Sequence, residues 1–321
     1  MPCYKFAVRA MVLAAGLGMR LRPLTDRLPK PLVPVLNRPL VERPLALLRA
    51  AGIRDVILNV HHLPDALPDA LGDGASVGLR LAWSREEVLL GTGGGVRRAE
   101  AFLRAGDEPF IVLNGDSIVE MDLGVVVAAH RATGALATLV LHPQGWERYI
   151  PLEHDGAGRL LTVPSLAGER EGAHPDHAAA RAAGSARRAL FTGVQVVEPA
   201  VLEALPAEGC ILRQGYAPLL ARGAHLGAFI LPDEAFFSDL GTPESYLACS
   251  RALLARGGGG PLVDPSARVE GALLDAHTVV GAGARVARGV SLEDCVVWPG
   301  TEVTEDASRT ILALGIALRA T

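Results

Sequence analysis

Short apolar segments alternate with segments of helical spacing along the first half of the chain. We predict strands at Phe6–Ala14, 55–60, 77–84, 109–116 and 135–142, and helices at Leu40–Ala51, Leu63–Leu71 and Leu123–Arg131. This β-α-β-α order predicts an α/β fold with a doubly wound, mostly parallel sheet. Ligands of such sheets bind beyond the carboxyl ends of the strands. The loop that follows the first strand is therefore the first candidate site.

Composition limits the functions that the chain can have. The 321 residues carry a formal net charge of −4, which gives no electrostatic reason to bind nucleic acid or an anionic membrane. The four cysteines form no C-x-x-C pair and predict reduced thiols. No apolar run reaches the length of a membrane span, and no signal-peptide segment is evident. We therefore expect a cytoplasmic protein.

The second half of the chain contains a predicted insertion and a linker. Residues 166–188 are rich in Ala, Arg and Gly without periodicity, which predicts a mobile surface insertion. Strands are predicted at 189–199 and 224–231, and a helix at Pro243–Leu254 with Thr242 as its N-cap. The sequence RGGGGP at 256–261 predicts a linker between a main domain, 1–255, and a C-terminal domain, 262–321.

The apolar period changes after the linker. Val280, Val286, Leu292 and Trp298 stand six residues apart, with small residues between them. Hexapeptide-like repeats of this kind predict a small left-handed parallel β-helix. A plain β-hairpin tail is the alternative, because the six-residue step slips by one between Val269 and Val280.

The loop after the first strand combines flexibility with positive charge. Gly16 and Gly18 allow the backbone to approach a ligand closely, and Arg20, Arg22 and Lys30 follow among four prolines. No Gly-Lys-Ser/Thr follows, and Leu21 stands where a dinucleotide fingerprint has its third glycine. Because prolines reduce the entropy lost on ordering, the loop is predicted to bind a triphosphate. Arg22 is read as a solvated charge.

Residues 13–35, LAAGLGMRLRPLTDRLPKPLVPV, are here called the signature segment. They resemble the signature of the sugar-1-phosphate nucleotidylyltransferases, G-x-G-T-R-L-x-P-L-T followed by P-K-P. The resemblance continues in LGTGGGVRRA (90–99), LNGDS (113–117), FTGVQVVEP (191–199) and FSDLGTPESY (237–246). The implied main domain is a Rossmann-like nucleotidyltransferase domain, and the tail resembles the C-terminal β-helix of mannose-1-phosphate guanylyltransferases.

The family resemblance implies an enzyme in which a sugar-1-phosphate oxygen attacks the α-phosphorus of a nucleoside triphosphate and pyrophosphate leaves. Such a reaction needs positioning and charge neutralisation by Mg²⁺ and cations, not a covalent nucleophile. Arg20 would neutralise the leaving phosphates, and Lys30 would reach the α-phosphate and the sugar phosphate. Asp116, also a catalytic candidate, and Asp239 would hold Mg²⁺.

The resemblance also implies binding residues. The predicted nucleotide-binding residues wrap the triphosphate or border its base and ribose: Leu13, Ala14, Ala15, Gly16, Gly18, Thr92, Gly93, Gly94 and Gly95. Asn114 and Gly193 are predicted to contact the sugar, with Gly193 in a turn where a side chain would collide with hexose hydroxyls.

Two departures from the family pattern bear on the substrate. Met19 replaces the usual threonine, and the lysine of the family's E-K-P segment has no equivalent near 158–165. Arg148 and Arg159 are the candidate substitutes for this lysine. The best interpretation is a mannose-1-phosphate guanylyltransferase that uses GTP. N-acetylmuramate-1-phosphate uridylyltransferase using UTP, heptose-1-phosphate guanylyltransferase and a non-catalytic sugar-nucleotide sensor remain alternatives. A homo-oligomer formed through the C-terminal domain is expected.

Overall fold

The structure is a computed structural model that describes residues 8–104, 108–165 and 173–320. Its strands are β1 (Ala10–Leu13), β2 (Pro34–Val35), β3 (Arg38–Pro39), β4 (Asp55–Val60), β5 (Arg80–Arg85), β6 (Phe110–Asn114), β7 (Ser117–Val119), β8 (Ala137–His142), β9 (Leu152–His154), β10 (Leu160–Thr162), β11 (Arg187–Val197), β12 (Leu226–Ile230), β13 (Phe237–Asp239), β14 (Leu262–Val263), β15 (Leu273–Leu274), β16 (Val279–Val280), β17 (Arg285–Val286), β18 (Ser291–Glu293), β19 (Val296–Val297), β20 (Glu302–Val303), β21 (Ala307–Ser308), β22 (Thr310–Ala313) and β23 (Ile316–Arg319). Its α-helices are α1 (Glu42–Ala50), α2 (Ala66–Leu71), α3 (Gly91–Arg98), α4 (Glu100–Leu103), α5 (Leu123–Thr133), α6 (His177–Ala182), α7 (Ala217–Ala221) and α8 (Pro243–Arg256).

The internal contacts of the chain divide it into two compact units. The first unit comprises Met1–Ala15 and Arg43–Phe237, and the second comprises Gly16–Glu42 and Ser238–Thr321. Most of the signature segment therefore packs within the same unit as the C-terminal strands. No helix in the described parts of the chain is both long enough and apolar enough to cross a membrane.

The first unit is built on a nine-stranded sheet with the order β10-β9-β11-β6-β1-β4-β5, to which β8 adds by pairing with both β11 and β12. Strands β1, β4, β5 and β6 run parallel, with Ala10 opposite Val56 and Ile111. Because both neighbours of β1 are parallel and its residues are apolar, the strand is buried except for partly exposed Leu13. Phe110, Leu139, Tyr216 and Leu226 belong to the core of this unit.

The parallel strands were predicted, but the sheet is more mixed than expected. Strand β11 runs antiparallel to β6, β8 and β9. The apolar pattern of a buried strand does not report its direction, and β8 is followed by the β9–β10 hairpin rather than by a crossover helix. That hairpin returns the chain to β11 in the antiparallel sense.

Several element boundaries differ from the prediction. Strand β4 matches the predicted 55–60, whereas α2 begins at Ala66 instead of Leu63, whose φ is +50°. The predicted surface insertion contains helix α6, where the sequence showed no helical periodicity. Residues 166–172, with Phe6 and Ala7 of the first predicted strand, lie outside the described residues.

The second unit joins short strands to one long helix. Helix α8 has the predicted N-cap, Thr242. Its Oγ1 accepts a hydrogen bond from the Ser245 backbone N–H, and the Ser245 hydroxyl accepts one from the Thr242 backbone N–H. Strands β14, β16, β19 and β22 pair in parallel, as do β15, β18 and β21, and likewise β17 and β20. Leu262 pairs with Val279, and Val279 with Val296, so the first three strands of this sheet stand 17 residues apart. Val296 then pairs with Ile311, which is only 15 residues further along.

Buried side chains connect three segments of the second unit. The predicted repeat positions Val280, Val286, Leu292 and Trp298 are all buried. The Trp298 indole N–H donates to the Tyr246 hydroxyl at 3.1 Å, and Tyr246 donates to the Pro34 carbonyl. Burial raises the pKa of Tyr246, which keeps this phenol a donor. The phenol thus joins α8, the C-terminal strands and the signature segment.

We expect Tyr246→Phe to lower the free energy of unfolding by about 1–3 kcal/mol, because the Trp298 N–H and the Pro34 carbonyl each lose a buried partner. Urea unfolding followed by tryptophan fluorescence measures this change. Tyr149→Phe, at a tyrosine that is 40% exposed, is the matched control and should change stability by less than about 0.5 kcal/mol. Equal effects of the two substitutions would contradict the role assigned to Tyr246.

Candidate active site

A carboxylate in the second unit gathers the two predicted phosphate-binding cations. Asp239 lies at the end of β13, with its Oδ1 3.5 Å from Lys30 Nζ and its Oδ2 3.8 Å from Arg20 Nη2. The Lys30 side chain is only 6% exposed, whereas that of Arg20 is 65% exposed. Three residues that the sequence assigned separately, as leaving-group cation, α-phosphate cation and metal ligand, are therefore neighbours.

Two glycines shape the backbone around these cations. Gly18 has φ +62°, and a Cβ there would lie 2.9 Å from Thr25 Cγ2. The Thr25 hydroxyl donates to the Gly18 carbonyl at 2.9 Å, which fixes the turn before Arg20. A Cβ on Gly241 would lie 2.6 Å from Arg20 Nη2, so the guanidinium group rests directly against the Gly241 backbone. By contrast, a Cβ on Gly16 would meet open space.

In the first unit, the carboxyl ends of β1 and β6 carry the next predicted residues. Leu13 pairs with Asn114 across the two strands, and the Gly115 N–H donates to the Leu13 carbonyl at 2.9 Å. Asp116 follows in the turn before β7 and is half-buried. Ala14 and Ala15 are buried. The Ala14 backbone N–H donates to Asn59 Oδ1 at 2.7 Å, so this group already has a partner within the protein, and the contact of Ala14 with the nucleotide stays a prediction.

The structure brings the two predicted sugar contacts together. A Cβ on Gly193 would lie 2.5 Å from Asn114 Nδ2, so these residues are in van der Waals contact. Gly193 is not in a turn as predicted. It lies inside β11, with φ +85°, where the register against β8 shifts between Phe191 and Gln195. The irregular backbone and the contact with Asn114 already require glycine at position 193, independently of any contact with a sugar.

The glycines of LGTGGG lie in a helix, α3. Thr92, Gly93 and Gly94 lie in the first turn of α3, and the Thr92 hydroxyl accepts the Ile211 N–H at 2.9 Å. A Cβ on Gly93 would lie 2.9 Å from Pro206 Cγ, and one on Gly94 2.4 Å from the Ala207 carbonyl oxygen. Protein packing therefore explains these glycines, and their contact with base and ribose stays a prediction.

A cavity of about 330 Å³ in the first unit is lined partly by apolar and neutral residues and partly by five titratable side chains, namely Glu153, His177, Arg181, Arg188 and Arg213. Glu153 Oε2 lies 2.6 Å from His177 Nε2, and its Oε1 accepts a hydrogen bond from Arg188 Nε at 3.3 Å. Burial alone would raise the pKa of Glu153, but these hydrogen bonds outweigh it and hold the pKa below its ordinary value. With one carboxylate against three guanidinium groups, the cavity suits an anionic ligand.

The cavity also bears on the residue that replaces the family lysine. Arg159, one candidate, donates from Nη1 to Asp176 Oδ2 at 2.7 Å and lies 3.6 Å from Asp155. Its charge is therefore countered by two carboxylates within the protein. Neither Arg159 nor Arg148, the other candidate, lines the cavity.

The described residues contain no group of three or more His, Cys, Asp or Glu side chains placed to hold a metal. The predicted metal ligands are two carboxylates, and each lies in a different unit: Asp116 in the first and Asp239 in the second. That they share a cation stays a prediction.

Comparison with known proteins decides the family. The Nucleotidyl transferase family model matches residues 9–150. A mannose-1-phosphate guanylyltransferase of Mycobacterium tuberculosis is 31% identical over 92% of this chain and 81% of its own. The chain belongs to the sugar-1-phosphate nucleotidylyltransferase family. The predicted enzyme class is thereby confirmed.

Other relatives extend the comparison. Mannose-1-phosphate guanylyltransferase 1 of Arabidopsis thaliana is 28% identical over 94% of this chain and 84% of its own. A UTP–glucose-1-phosphate uridylyltransferase of Synechocystis is 31% identical over 62% of this chain, and the chain spans only 51% of that enzyme. Among solved structures, HddC from Yersinia pseudotuberculosis complexed with GMP-PN has a TM-score of 0.61 and 21% identity, covering 77% of this chain and 99% of that one. This likeness shows a mixed α/β, Rossmann-like nucleotidyltransferase fold with a parallel sheet.

We expect Gly193→Ala in this nucleotidyltransferase to weaken sugar 1-phosphate binding and to lower stability by about 1–3 kcal/mol, because a Cβ at this φ is strained and displaces Asn114. KM for the sugar phosphate and thermal unfolding measure the two effects. Gly134→Ala is the control, because Gly134 has φ +61° with open space around a Cβ. It should cost stability but leave that KM unchanged. A raised KM in both variants would contradict the specific role of the Asn114 contact.

Proposed function

We propose that the protein transfers a guanylyl group from GTP to mannose 1-phosphate, forming GDP-mannose and pyrophosphate. The observation that carries the proposal is the similarity to mannose-1-phosphate guanylyltransferases over more than four-fifths of both chains. These matches include the C-terminal strands as well as the nucleotidyltransferase region. Uridylyl transfer is the second candidate, because the Synechocystis uridylyltransferase is equally identical over a shorter stretch.

In the proposed reaction, a phosphate oxygen of the sugar 1-phosphate forms a bond to the α-phosphorus of GTP. The bond from that phosphorus to the β-phosphate bridging oxygen breaks, and pyrophosphate carries away the electron pair. Arg20 is exposed and therefore accessible to the leaving β- and γ-phosphates, while Lys30 holds a fixed buried charge for the α-phosphate. Their contacts with Asp239 are longer than strong charge-assisted hydrogen bonds, so phosphate oxygens compete well for both cations.

Mg²⁺ is the proposed cofactor. Carboxylate oxygens are the ligands that Mg²⁺ prefers, and Asp239, like Asp116, is partly accessible. The donor chemistry of these two residues therefore fits the ion. Bound there, Mg²⁺ would neutralise phosphate charge, and Asp239 would exchange part of its attraction for Lys30 and Arg20 for the metal.

Pyrophosphate release from a panel of substrates tests the proposal. GTP, UTP, ATP and dTTP are each combined with mannose 1-phosphate, glucose 1-phosphate and N-acetylmuramate 1-phosphate. We expect the highest kcat/KM for GTP with mannose 1-phosphate. Higher kcat/KM with UTP would favour the second candidate, and no release from any pair would overturn transferase activity.

We expect Asp116→Asn and Asp239→Asn each to lower kcat at least about a hundredfold, equivalent to ~2.7 kcal/mol of activation free energy. Asparagine keeps the size and one ligand oxygen but removes a negative charge, so the metal is bound more weakly and raised Mg²⁺ or Mn²⁺ partly restores the rate. Steady-state kinetics across metal concentrations measure both effects.

The double variant separates a shared cation from two independent roles. If both carboxylates act through one ion, the double substitution is scarcely worse than either single one. Multiplicative losses, or wild-type metal dependence in either single variant, would contradict a shared site. Asp73→Asn, at an exposed aspartate between α2 and β5, is the matched control and should keep wild-type metal dependence.

We also propose that the C-terminal strands form the left-handed β-helix expected from the six-residue repeat, and that this element mediates homo-oligomer formation. The parallel pairing of β14, β16, β19 and β22 supports the first part. The exposed side chain of Leu273, 66% accessible on β15, supports the second. Light scattering of the full chain and of Leu273→Glu measures the assembly.

A further inference from the structure

A chain of buried hydrogen bonds runs through the first unit beneath the predicted nucleotide-binding residues. Ala14 N–H donates to Asn59 Oδ1 at 2.7 Å, and Asn59 Nδ2 donates to Glu86 Oε1 at 2.8 Å. The second carboxylate oxygen of Glu86 accepts the Leu90 N–H at 3.0 Å. Asn59 and Glu86 are 3% and 4% exposed. A charged side chain is therefore buried close to the predicted site without a part in the proposed chemistry.

This series of hydrogen bonds ends in two segments of the first unit, both of which the sequence analysis assigned to nucleotide binding. Ala14 directly follows β1, within the predicted run Leu13–Ala15. Leu90 is the N-cap residue of α3, whose first turn contains Thr92 to Gly94. The two residues between these segments lie at neighbouring strand ends. Asn59 lies in β4 and Glu86 directly follows β5, and the Glu86 backbone N–H donates to the Val60 carbonyl.

Helix α3 rests on this hydrogen-bonded pair. A Cβ on Gly95 would lie 2.9 Å from both Asn59 Nδ2 and Glu86 Oε1, so only glycine allows the helix to approach so closely. The buried pair thus explains the third glycine of TGGG, and the contact of Gly95 with the nucleotide stays a prediction. A shift of either side chain would move the helix or leave a gap beneath it.

The donor and acceptor roles of Asn59 and Glu86 in this series of hydrogen bonds are fixed. A backbone N–H donor stands at each end, so Asn59 must turn its oxygen to Ala14 and its nitrogen to Glu86, which must accept twice. A carboxylate at position 86 meets that requirement. A glutamine there would direct its NH₂ group at another donor, either the Asn59 amide NH₂ or the Leu90 N–H. Burying a carboxylate solely for packing is costly, which points to a positional purpose.

We propose that Asn59 and Glu86 are positioning residues that set the distance and orientation between Ala14 and the start of α3, and thereby the affinity for the nucleoside triphosphate. The inference rests on the proposed function, because it takes these segments as the walls of the nucleotide site. Neither residue contacts the reacting atoms. Each acts through the backbone that it holds.

Three variants test the proposal. Glu86→Gln and Asn59→Asp each place two donors or two acceptors face to face. The double variant Asn59→Asp/Glu86→Gln restores every hydrogen bond, with the polarity between the two side chains reversed. Its carboxylate on β4 accepts from the Ala14 N–H and from the introduced amide NH₂, and the oxygen of that amide accepts the Leu90 N–H. The double variant also keeps the net charge of the wild type.

We expect each single variant to raise KM for the triphosphate roughly tenfold, the effect of about one unsatisfied buried contact, with less than about twofold change in KM for the sugar phosphate. The double variant should return the triphosphate KM to within about threefold of the wild type. Glu198→Gln is the matched control, because Glu198 pairs with buried His130 away from the nucleotide segments, and it should leave both KM values unchanged.

The outcomes separate positioning from general stability and from the proposed reaction. Equal rises in both KM values, no rescue in the double variant, or single variants that fail to fold would overturn the proposal in favour of a structural role. Unchanged triphosphate KM in the single variants would also overturn it. Failure of the proposed function is visible separately, as a wild-type protein that releases no pyrophosphate from any substrate pair.

Discussion

The candidate site in the second unit depends on a lysine ammonium group, that of Lys30, which is withdrawn from solvent. Removing such a charge from water costs several kcal/mol unless an opposite charge accompanies it. Asp239 provides that charge to Lys30 from 209 residues further along the chain. The polypeptide must therefore return to the signature segment after residues Arg43–Phe237, which belong to the first unit.

The sequence SDLGTPES shows how this return is made. Asp239 supplies the charge, and Gly241 leaves room for the Arg20 guanidinium group. Thr242 then caps α8, with Pro243 in the first helical position where a missing N–H costs nothing. Asp239, Gly241 and the start of α8 thus follow one another within five residues. Helix α8 therefore fixes the backbone that carries the Asp239 carboxylate.

Features that depend on neighbouring residues could be predicted from the sequence. The buried strand at 55–60 and the Thr242 cap were found because apolar runs and capping residues act within a few positions. Strand direction, the bulge at Gly193 and the pairing of Asp239 with Lys30 depend on distant partners. The site residues were assigned by family resemblance, which identifies residue types and leaves their contacts open.

Glycine was the residue whose role the sequence could not assign. A glycine next to a predicted ligand site indicates a close approach of backbone, but the approaching group can belong to the protein. Gly95 admits Asn59 and Glu86, and Gly193 admits Asn114. The buried pair itself carried a weak signal, a polar residue within the apolar run DVILNV and a glutamate before LGTGG. Only the fold shows that these two positions meet.

Proximity in sequence does not decide which segments share a core. Residues 16–41 contain only single-turn 3₁₀ helices and the two-residue strands β2 and β3, so they have little structure of their own. Their backbone takes its shape from other contacts: Arg27 Nη1 donates to the Leu314 carbonyl and Asn37 Nδ2 to the Val280 carbonyl, both at 3.0 Å. With Tyr246 bound to Pro34, the C-terminal strands and α8 hold the segment that carries Arg20 and Lys30. The C-terminal strands therefore hold the segment that carries the two predicted phosphate-binding cations, and we expect a substitution in these strands to change catalysis without touching a substrate.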